Sequence, residues 1–348
     1  MRRAWRAMVS LGAGTALITT GLLGSPATAA DSTTRATAPP AIRPATAPNA
    51  VRVATYNICK STCGKGRYSW AHRRAALFNQ VRWTDPDVLN VQEANMTKYR
   101  GRPQLTDVRG MLSRLGYQVA NLNLTCTKGC TKGAHIFFKA NRMTPTALPN
   151  KAMAPAGMVG LSAIARMRFA YQDRAVSWAF LTPRGSSRPT LYMSVHLITQ
   201  KTSRGESYRR ASARNMAAYA KGLIARSGLK GAVPVVVSGD FNSYQRRQPN
   251  GAQTIMTHTG FVDGHQAPVR ANANYGTINR APKINKYKGF PPGPYRYGRI
   301  SPARIDYVFS TVRPVRHEVV LRLTPSGRFD DRFRASDHNM VLVDLPLR

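Results

Sequence analysis

The stretch VVVSGDFNS, residues 235–243, joins an apolar run to polar residues. Three β-branched valines favour a buried strand. Gly239 interrupts the run, and Asp240 and Asn242 follow it two positions apart. Because ligands in α/β proteins gather beyond strand ends, an acid and an amide at this place predict a functional edge of a sheet.

The composition is that of a folded and strongly basic protein. Of the 348 residues, 43% are hydrophobic, which excludes disorder throughout the chain. The chain has 52 Lys and Arg against 15 Asp and Glu, a formal net charge of +37. We therefore expect a polyanionic partner, such as nucleic acid, anionic lipid or a cell-wall polymer. A solubility or secretion bias of a basic proteome is the alternative explanation.

The N-terminal region has the pattern of an export signal followed by a linker. Residues 1–30 contain three Arg, an apolar run and the small-residue sequence ATA at 27–29, and predict a signal peptide. Residues 31–50 are rich in Ala, Pro and Thr and predict an extended linker. We expect one folded domain at 51–348 in a secreted, extracellular protein; Sec and twin-arginine export both stay open.

Four cysteines form two CxxxC pairs, Cys59 with Cys63 and Cys126 with Cys130. In an exported chain this pattern favours disulfides over a zinc site, whose knuckles usually have CxxC spacing. Three connectivities are possible. Two local bridges and two bridges between the 59–63 and 126–130 loops stay open.

Apolar, β-rich runs alternate with helical patterns along the rest of the chain. The runs predict strands at 51–57, 88–95, 134–139, 177–182, 191–197, 233–242, 304–310 and 339–345. Helical patterns cover 70–83, 107–115 and 204–227. The pattern fits two packed sheets flanked by helices or one doubly wound sheet. No later apolar run approaches the roughly 18 residues of a membrane span, so we expect no stable membrane insertion.

Several of the rare acids stand next to predicted strands: Glu93, Asp240, Asp306 and Asp337. Turn capping or pairing with Arg would explain any one of them. Four together, with His196 and His338 in similar positions, predict a site. Oxygen ligands suit Mg²⁺, with Mn²⁺ or Ca²⁺ as alternatives. Such an ion beside an acid and a histidine is typical of phosphoester hydrolysis.

Six motifs follow one another along the chain: TYNI (55–58), VLNVQEAN (88–95), SVHL (194–197), GDFNS (239–243), RIDYVF (304–309) and SDHNMV (336–341). Together and in this order they resemble the signature blocks of the endonuclease/exonuclease/phosphatase superfamily, which has the deoxyribonuclease-I-like fold. The resemblance covers nearly all of 51–348. It implies a four-layered α/β sandwich, in which two packed mixed β-sheets are flanked by helices.

The resemblance implies a metal site and assigns its ligands. Glu93 would be the main ligand, with Asn57 beside it and Asp337 completing the coordination of the ion. Whether one ion or two would bind stays open.

The resemblance also implies the catalytic residues. Asp240 would orient or deprotonate the attacking water, and Asn242 would bind the scissile phosphate. His338, oriented by Asp306, would transfer protons. His196 would contact a phosphate oxygen and stabilise the transition state.

One position departs from the superfamily pattern. Deoxyribonuclease-like members place a Glu just before the strand matching 134–139, where it partners the first histidine, and here Gly133 and Ala134 stand there. His196 is therefore expected to be an electrophile rather than a second proton carrier. His135 is more often structural than a substrate contact at such a position.

The superfamily includes nucleases, sphingomyelinases, inositol-phosphate phosphatases and toxins, among which the fold does not select. The stretch 279–299 interleaves Lys and Arg with four aromatic residues, a combination typical of a nucleic-acid groove, and a Pro/Gly-rich loop whose aromatics simply pack is an equal alternative. The apolar stretch 153–161 is the nearest candidate for a membrane-entry hairpin.

We therefore predict a monomeric, secreted, metal-dependent endonuclease that hydrolyses DNA or RNA. A sphingomyelinase-like or other phospholipid or inositol phosphodiesterase is the second hypothesis, and a non-enzymatic polyanion-binding protein is the third.

Overall fold

A computed structural model describes residues 49–94, 98–120, 134–168, 174–243, 251–273, 275–279, 304–325 and 329–348. All of these residues lie in the compact unit Pro40–Arg348. The predicted signal peptide, the linker as far as residue 48, Cys126, Cys130 and the basic aromatic stretch from residue 280 onward lie outside the described residues.

The strands of the described regions are β1 (Val51–Asn57), β2 (Val88–Gln92), β3 (Lys98–Tyr99), β4 (Arg102–Pro103), β5 (Tyr117–Val119), β6 (His135–Lys139), β7 (Met143–Pro145), β8 (Ala156–Gly160), β9 (Ala175–Pro183), β10 (Thr190–His196), β11 (Val235–Asp240), β12 (Val262–Asp263), β13 (Val269–Ala271), β14 (Asp306–Ser310), β15 (Arg316–Val319) and β16 (Val341–Leu345). The α-helices are α1 (Trp70–Thr84), α2 (Gln104–Ser113), α3 (Leu161–Ala165), α4 (Ser203–Ser227) and α5 (Ala252–His258).

Two seven-stranded mixed sheets contain nearly all of these strands. The first sheet has the order β13-β15-β16-β1-β2-β6-β5. The second has the order β12-β14-β11-β10-β9-β7, with β8 paired to β9. In the centre of the first sheet, β1 is parallel to β2 and antiparallel to β16. In the second, β10 is parallel to β11 and antiparallel to β9.

The hydrophobic core has three parts, which separate four layers of structure. The middle part joins the sheets and contains Val53 and Val88 from the first sheet and Val236 from the second. A second part packs α1 and α2 on the outer face of the first sheet, and a third packs α3, α4 and α5 on the second. The predicted four-layered α/β sandwich, two packed mixed β-sheets flanked by helices, is thereby confirmed.

The long elements form where the hydrophobic patterns predict them. Helix α4 begins after Thr202, whose hydroxyl accepts a hydrogen bond from the Gly205 N–H at 3.1 Å, and it ends at Gly228 with φ 75°. The apolar stretch 153–161 contains β8, which is paired with β9 in the second sheet. No helix among the described residues is long and apolar enough to cross a membrane.

Candidate active site

The candidate functional side chains lie where central strands of both sheets end at one edge. In the first sheet, β1 ends at Asn57, and Glu93 directly follows β2. In the second sheet, the parallel strands β10 and β11 end at His196 and Asp240, which are register partners. The antiparallel strand β14 begins at Asp306, opposite Asp240. The topology therefore collects residues from distant parts of the chain.

Polar side chains replace apolar ones between the sheets near this edge. The Asn90 amide donates to the Ser238 hydroxyl at 2.5 Å, and the Gln92 amide donates to the Ser194 hydroxyl at 3.2 Å. All four side chains are buried. Since buried polar groups need partners, these bonds link the two sheets in a defined register beneath the site.

Gly239 explains how the second-sheet strands approach each other so closely. Its φ is 151°, and a Cβ atom at this position would overlap the carbonyl oxygen of Val195 on β10. Only glycine avoids that overlap. The next residue pair along the two strands is His196 and Asp240, whose Nε2 and Oδ2 atoms are 3.3 Å apart.

Asp240 is the centre of the polar cluster. Its Oδ2 lies 3.0 Å from Asn57 Nδ2, 3.3 Å from His196 Nε2 and 3.9 Å from His338 Nε2. Its Oδ1 accepts the Asn242 N–H at 2.8 Å. Burial would raise the pKa of Asp240, but the two imidazoles and this N–H hold it well below its usual value. The carboxylate is therefore an ionised acceptor.

Asp306 and His338 form a buried pair, with Asp306 Oδ2 at 2.8 Å from His338 Nδ1. Burial and the charge of Asp240 raise the pKa of Asp306 to about 6. Although burial opposes it, the Asp306 carboxylate raises the pKa of His338 well above its ordinary value. At neutral pH the imidazole is thus held protonated, and its Nε2 faces Asp240.

Glu93 follows β2 in a left-handed conformation, with φ 66°. Its Oε2 accepts the Lys60 N–H at 2.9 Å, and its Oε1 accepts from Asn57 Nδ2 at 3.3 Å. Burial opposes ionisation, but His196 and the Lys60 N–H lower the pKa of Glu93. With 27% of its side chain exposed, it is an ionised carboxylate within reach of solvent.

The carboxylates at this edge fit a hard divalent cation. Burial and the negative charge of Glu93 raise the pKa of Asp337, a repulsion that a bound cation would relieve. Asn57 fits less directly, because its Nδ2 faces the acids while its Oδ1 accepts the Cys59 N–H at 3.0 Å. Its oxygen would reach an ion only after rotation of the amide.

Asn242 and His135 occupy different environments. Asn242 is half-buried at the site with φ 48°, and its Nδ2 donates to the Leu197 carbonyl at 2.8 Å. His135 is buried, and its Nε2 lies 3.1 Å from the Ala94 carbonyl oxygen. Burial lowers the pKa of His135 to about 4, so this ring stays neutral in the interior. Its surroundings agree with a structural role.

Two polar residues that the sequence reasoning missed hold the Asp306–His338 pair. The Asn279 amide donates to the carbonyls of Ser336 and His338 at 3.2 and 3.1 Å. The Thr277 hydroxyl oxygen accepts the N–H of Asp306 at 3.0 Å. Because they act through the backbone, no motif spacing signals them.

Two arginines were also missed. Arg73 donates to the carbonyls of Ile58 and Ala335 at 2.8 and 2.6 Å, and so joins the loops that follow β1 and precede β16. Arg174 is buried, donates to the Leu197 carbonyl at 3.1 Å, and contributes to the lowered pKa of His196. In a chain with 52 Lys and Arg, nothing in the sequence distinguishes these two.

Cys59 and Cys63 form a disulfide in the loop after β1. This bridge agrees with the local connectivity and excludes a cross-link from either cysteine to the 126–130 loop. The loop is adjacent to the candidate metal ligands, since Lys60 contacts Glu93 and the cysteines lie near Asp337.

Comparisons with known proteins agree with this fold. The sequence profile of the Endonuclease/Exonuclease/phosphatase family matches residues 54–338. No curated protein matches the chain.

Several solved structures have the same fold. A mannosyl-6-phosphatase from Bacteroides thetaiotaomicron is 21% identical, with a TM-score of 0.60 over 85% of this chain and 99% of that one. A family protein from Bacteroides vulgatus is 19% identical, with a TM-score of 0.62 over 86% and 99%. The human Nocturnin catalytic domain, with bound sulfate, is 19% identical, with a TM-score of 0.52 over 85% and 94%.

The chain belongs to the endonuclease/exonuclease/phosphatase family. The match and the acid and histidine cluster support a metal-dependent phosphoesterase, a hydrolase that uses a divalent ion.

Proposed function

We propose that the protein is a secreted, monomeric, Mg²⁺-dependent nuclease that hydrolyses phosphodiester bonds of DNA or RNA. The observation that carries the choice of substrate is the formal net charge of +37 in a chain with a phosphoesterase site. A surface of this charge attracts nucleic acid strongly, whereas a small phosphorylated sugar has no need of it. The pairing of β8 with β9 places residues 156–160 of the apolar stretch within a sheet, which gives no support to membrane entry by a lipid phosphodiesterase.

Glu93 and Asp337 would hold the metal ion. When bound there, Mg²⁺, or Mn²⁺ or Ca²⁺ in its place, supplies polarisation of a phosphoryl oxygen and neutralises developing charge. Glu93 is preset as the main ligand because the Lys60 N–H fixes its second oxygen at 2.9 Å. Asn57 can contribute its oxygen after its amide rotates.

The proton transfers are assigned to two buried groups. Ionised Asp240 orients the attacking water and accepts its proton. His338, kept protonated by Asp306 at 2.8 Å, donates a proton to the leaving oxygen. His338 Nε2 and Asp240 Oδ2 lie 3.9 Å apart, which leaves no room for a phosphate between them, so action on opposite sides of the phosphorus requires these two side chains to separate when the substrate binds.

His196 and Asn242 are assigned to the phosphoryl oxygens. Burial and the nearby charge of Arg174 lower the pKa of His196, against the charges of Asp240 and Glu93, and its Nε2 N–H is assigned as the hydrogen-bond donor to a phosphoryl oxygen. One N–H of the Asn242 amide is fixed by the Leu197 carbonyl, which positions the other toward the substrate. Preorganised donors of this kind stabilise the charge of a phosphoryl transition state.

A substrate panel tests the proposal. Purified protein with Mg²⁺ should degrade plasmid DNA or RNA, release nothing from sphingomyelin vesicles, inositol phosphates or mannose 6-phosphate, and lose its activity in chelator. Hydrolysis of a lipid or a phosphomonoester without cleavage of nucleic acid would reject it.

A Glu93→Gln variant tests the metal site. We expect the Mg²⁺ concentration for half-maximal rate to rise by at least about tenfold, since even outer partners of metal sites have effects of that size. Glu206→Gln, on α4, is the matched control, because Glu206 pairs with Arg209 at 2.6 Å rather than with the site. An unchanged metal requirement in Glu93→Gln would remove it from the ligand set.

A further inference from the structure

A basic pocket lies on the helical face of the first sheet, apart from the acids of the candidate active site. Its volume is about 440 Å³, which is in the range of small-ligand pockets. The residues that define it come from α1, the β3–β4 hairpin and α2: Arg74, Tyr99, Arg100, Arg102, Gly110 and Arg114. We call it the arginine pocket.

The arginine pocket has a surplus of positive charge. Its acid, Asp107, is engaged by Arg74 Nε at 2.9 Å and by Trp70 Nε1 at 2.8 Å. Arg100, Arg102 and Arg114 are exposed, and none of them has a carboxylate partner within the part of the chain that the structure describes. Three guanidinium groups around one concavity favour an anion, and their planar forks match phosphate oxygens.

An aromatic ring stands among these cations. Tyr99 is half-buried, with the guanidinium carbons of Arg100 and Arg74 at 5.4 and 5.9 Å from its ring centroid. Arg114 lies over the Phe78 ring at 5.3 Å. Aromatic faces stack on unpaired bases while guanidinium groups bind the adjacent phosphates, so this combination recognises a nucleotide.

Gly110 lines the arginine pocket and is exposed. It lies inside α2, where glycine weakens a helix relative to alanine. A Cβ at this position would meet no atom within 4 Å, so no packing constraint requires glycine there. The missing side chain leaves space in the pocket instead.

We infer that the arginine pocket is an exosite that binds one unpaired nucleotide of a nucleic-acid strand. A stacked ring requires a base that is not paired, so a single strand is the fitting ligand rather than a duplex. This inference rests on the proposed function for the identity of the polymer. The pocket also adjoins the active-site loop, because Gln104, the first residue of α2, accepts the Ser61 N–H at 2.8 Å next to Lys60.

Strand binding without cleavage tests the inference. Fluorescence anisotropy with a labelled single-stranded DNA oligomer is measured in chelator, so that no catalysis occurs. Two variants remove different features: Arg102→Ala/Arg114→Ala removes two cations, and Gly110→Leu fills the space while favouring the helix. Arg188→Ala/Arg214→Ala is the control of equal charge, because both residues are exposed and lie on the second-sheet half of the molecule.

We expect each pocket variant to raise the Kd for the oligomer about tenfold, the scale of one lost stacking or phosphate contact. The double arginine variant should also lower the slope of log Kd against log salt by about 1.4, since each single-strand phosphate contact contributes about 0.7. The control should change the Kd much less. If the control and the pocket variants lose the same affinity for the oligomer, or if none of them loses any, the inference is overturned, because the strand is then held by the overall positive charge of the surface.

Competitors identify the ligand. Inorganic phosphate and AMP should displace the oligomer only weakly, and a duplex of the same sequence should bind with no dependence on the pocket. Tighter binding of AMP than of the oligomer, or pocket-dependent binding of phosphatidylserine vesicles in place of the oligomer, would overturn it. If the pocket variants weaken strand binding but the wild-type protein cleaves no nucleic acid in Mg²⁺, the proposed function alone is rejected. If the wild-type protein cleaves nucleic acid but both pocket variants bind the strand as wild type does, the exosite alone is rejected.

Discussion

Buried acids lie near both ends of β1, but their negative charges are compensated by different kinds of side chain at the two ends. Near the start of β1, two guanidinium nitrogens of Arg52 donate to the Asp344 carboxylate at 2.9 and 3.0 Å, and the backbone N–H of Arg52 donates to the Asp87 carboxylate at 2.7 Å. At its end, Asp240 and Asp306 are accompanied by imidazoles. No arginine or lysine forms an ion pair with either of these two acids within the described regions.

The two ends of β1 are expected to have different roles. A guanidinium stays charged at every accessible pH and holds its carboxylate in a fixed fork, so the Arg52 end is permanent structure. An imidazole exchanges protons near neutral pH, so a carboxylate beside it is not held in a permanent ion pair. Such a carboxylate can take part in proton transfer or bind a cation. The comparison predicts that changes at one end remove activity, whereas changes at the other end remove stability.

The largest expected effect is at the imidazole end. His338→Ala should lower the hydrolysis rate by about 10²- to 10⁴-fold, the usual contribution of a general acid, while the fold is retained. Initial rates in Mg²⁺ and circular dichroism measure the two quantities. His72→Ala, which removes an exposed histidine of α1, is the control. A rate close to wild type in His338→Ala would end its assignment.

The next effect is at the arginine end. Asp344→Asn leaves Arg52, 1% exposed, without its carboxylate and should lower the free energy of unfolding by about 3–5 kcal/mol. Urea unfolding measures this, and activity per folded molecule should stay near wild type. Asp331→Asn removes a carboxylate that is 61% exposed and pairs with Arg334, which is 6% exposed; because water screens this carboxylate, the loss should be smaller, about 1 kcal/mol. Equal losses of unfolding free energy in the two variants would contradict the idea that burial of the carboxylate sets the size of the loss.

A smaller effect is expected from the loop next to the metal ligands. Cys59→Ser/Cys63→Ser opens a disulfide of sequence separation 4, and loop-closure entropy gives about 2 kcal/mol for so short a loop. The same unfolding experiment on wild type with a thiol reductant should reproduce the loss. A fully stable double variant would mean that the Arg73 contacts alone hold the loop.

At neutral pH the smallest effect is expected at His317, a buried histidine. Burial, with the neighbouring His265, lowers the pKa of His317 to about 3, in contrast to His338 beside Asp306. The folded state therefore binds fewer protons than the unfolded state, and stability is lost as pH falls from 6.5 toward 3. His317 should contribute about 1.4 kcal/mol per pH unit to the slope of the free energy of unfolding against pH. His317→Gln should flatten the urea-midpoint profile between pH 7 and 5, and an identical profile would refute this origin.

The sequence predicts much of the fold because long buried elements repeat a simple pattern. β11 and β10 are apolar runs that end in a polar residue, and α4 has an amphipathic face with a glycine stop. Strands of two or three residues, such as β3, β4 and β12, have no such pattern and form only because a neighbouring strand lies beside them.

The site is predictable only where chemistry and position coincide. Scarce acids next to strand ends identify Glu93 and Asp240, and the structure brings both to the same edge. Asn279 and Thr277 were missed because they bond backbone atoms of segments far along the chain. The direction of the Asn57 amide depends on hydrogen bonds that only the folded molecule sets.

The glycine between the valines and Asp240 has a consequence for mutational tolerance. A single methyl group at position 239 would push two strand ends apart without touching any ionisable atom. In a saturation library selected for activity, this position should be as intolerant as the acid beside it, even though glycine has no reactive group. Selection would thus record a steric demand of the backbone as if it were a catalytic one.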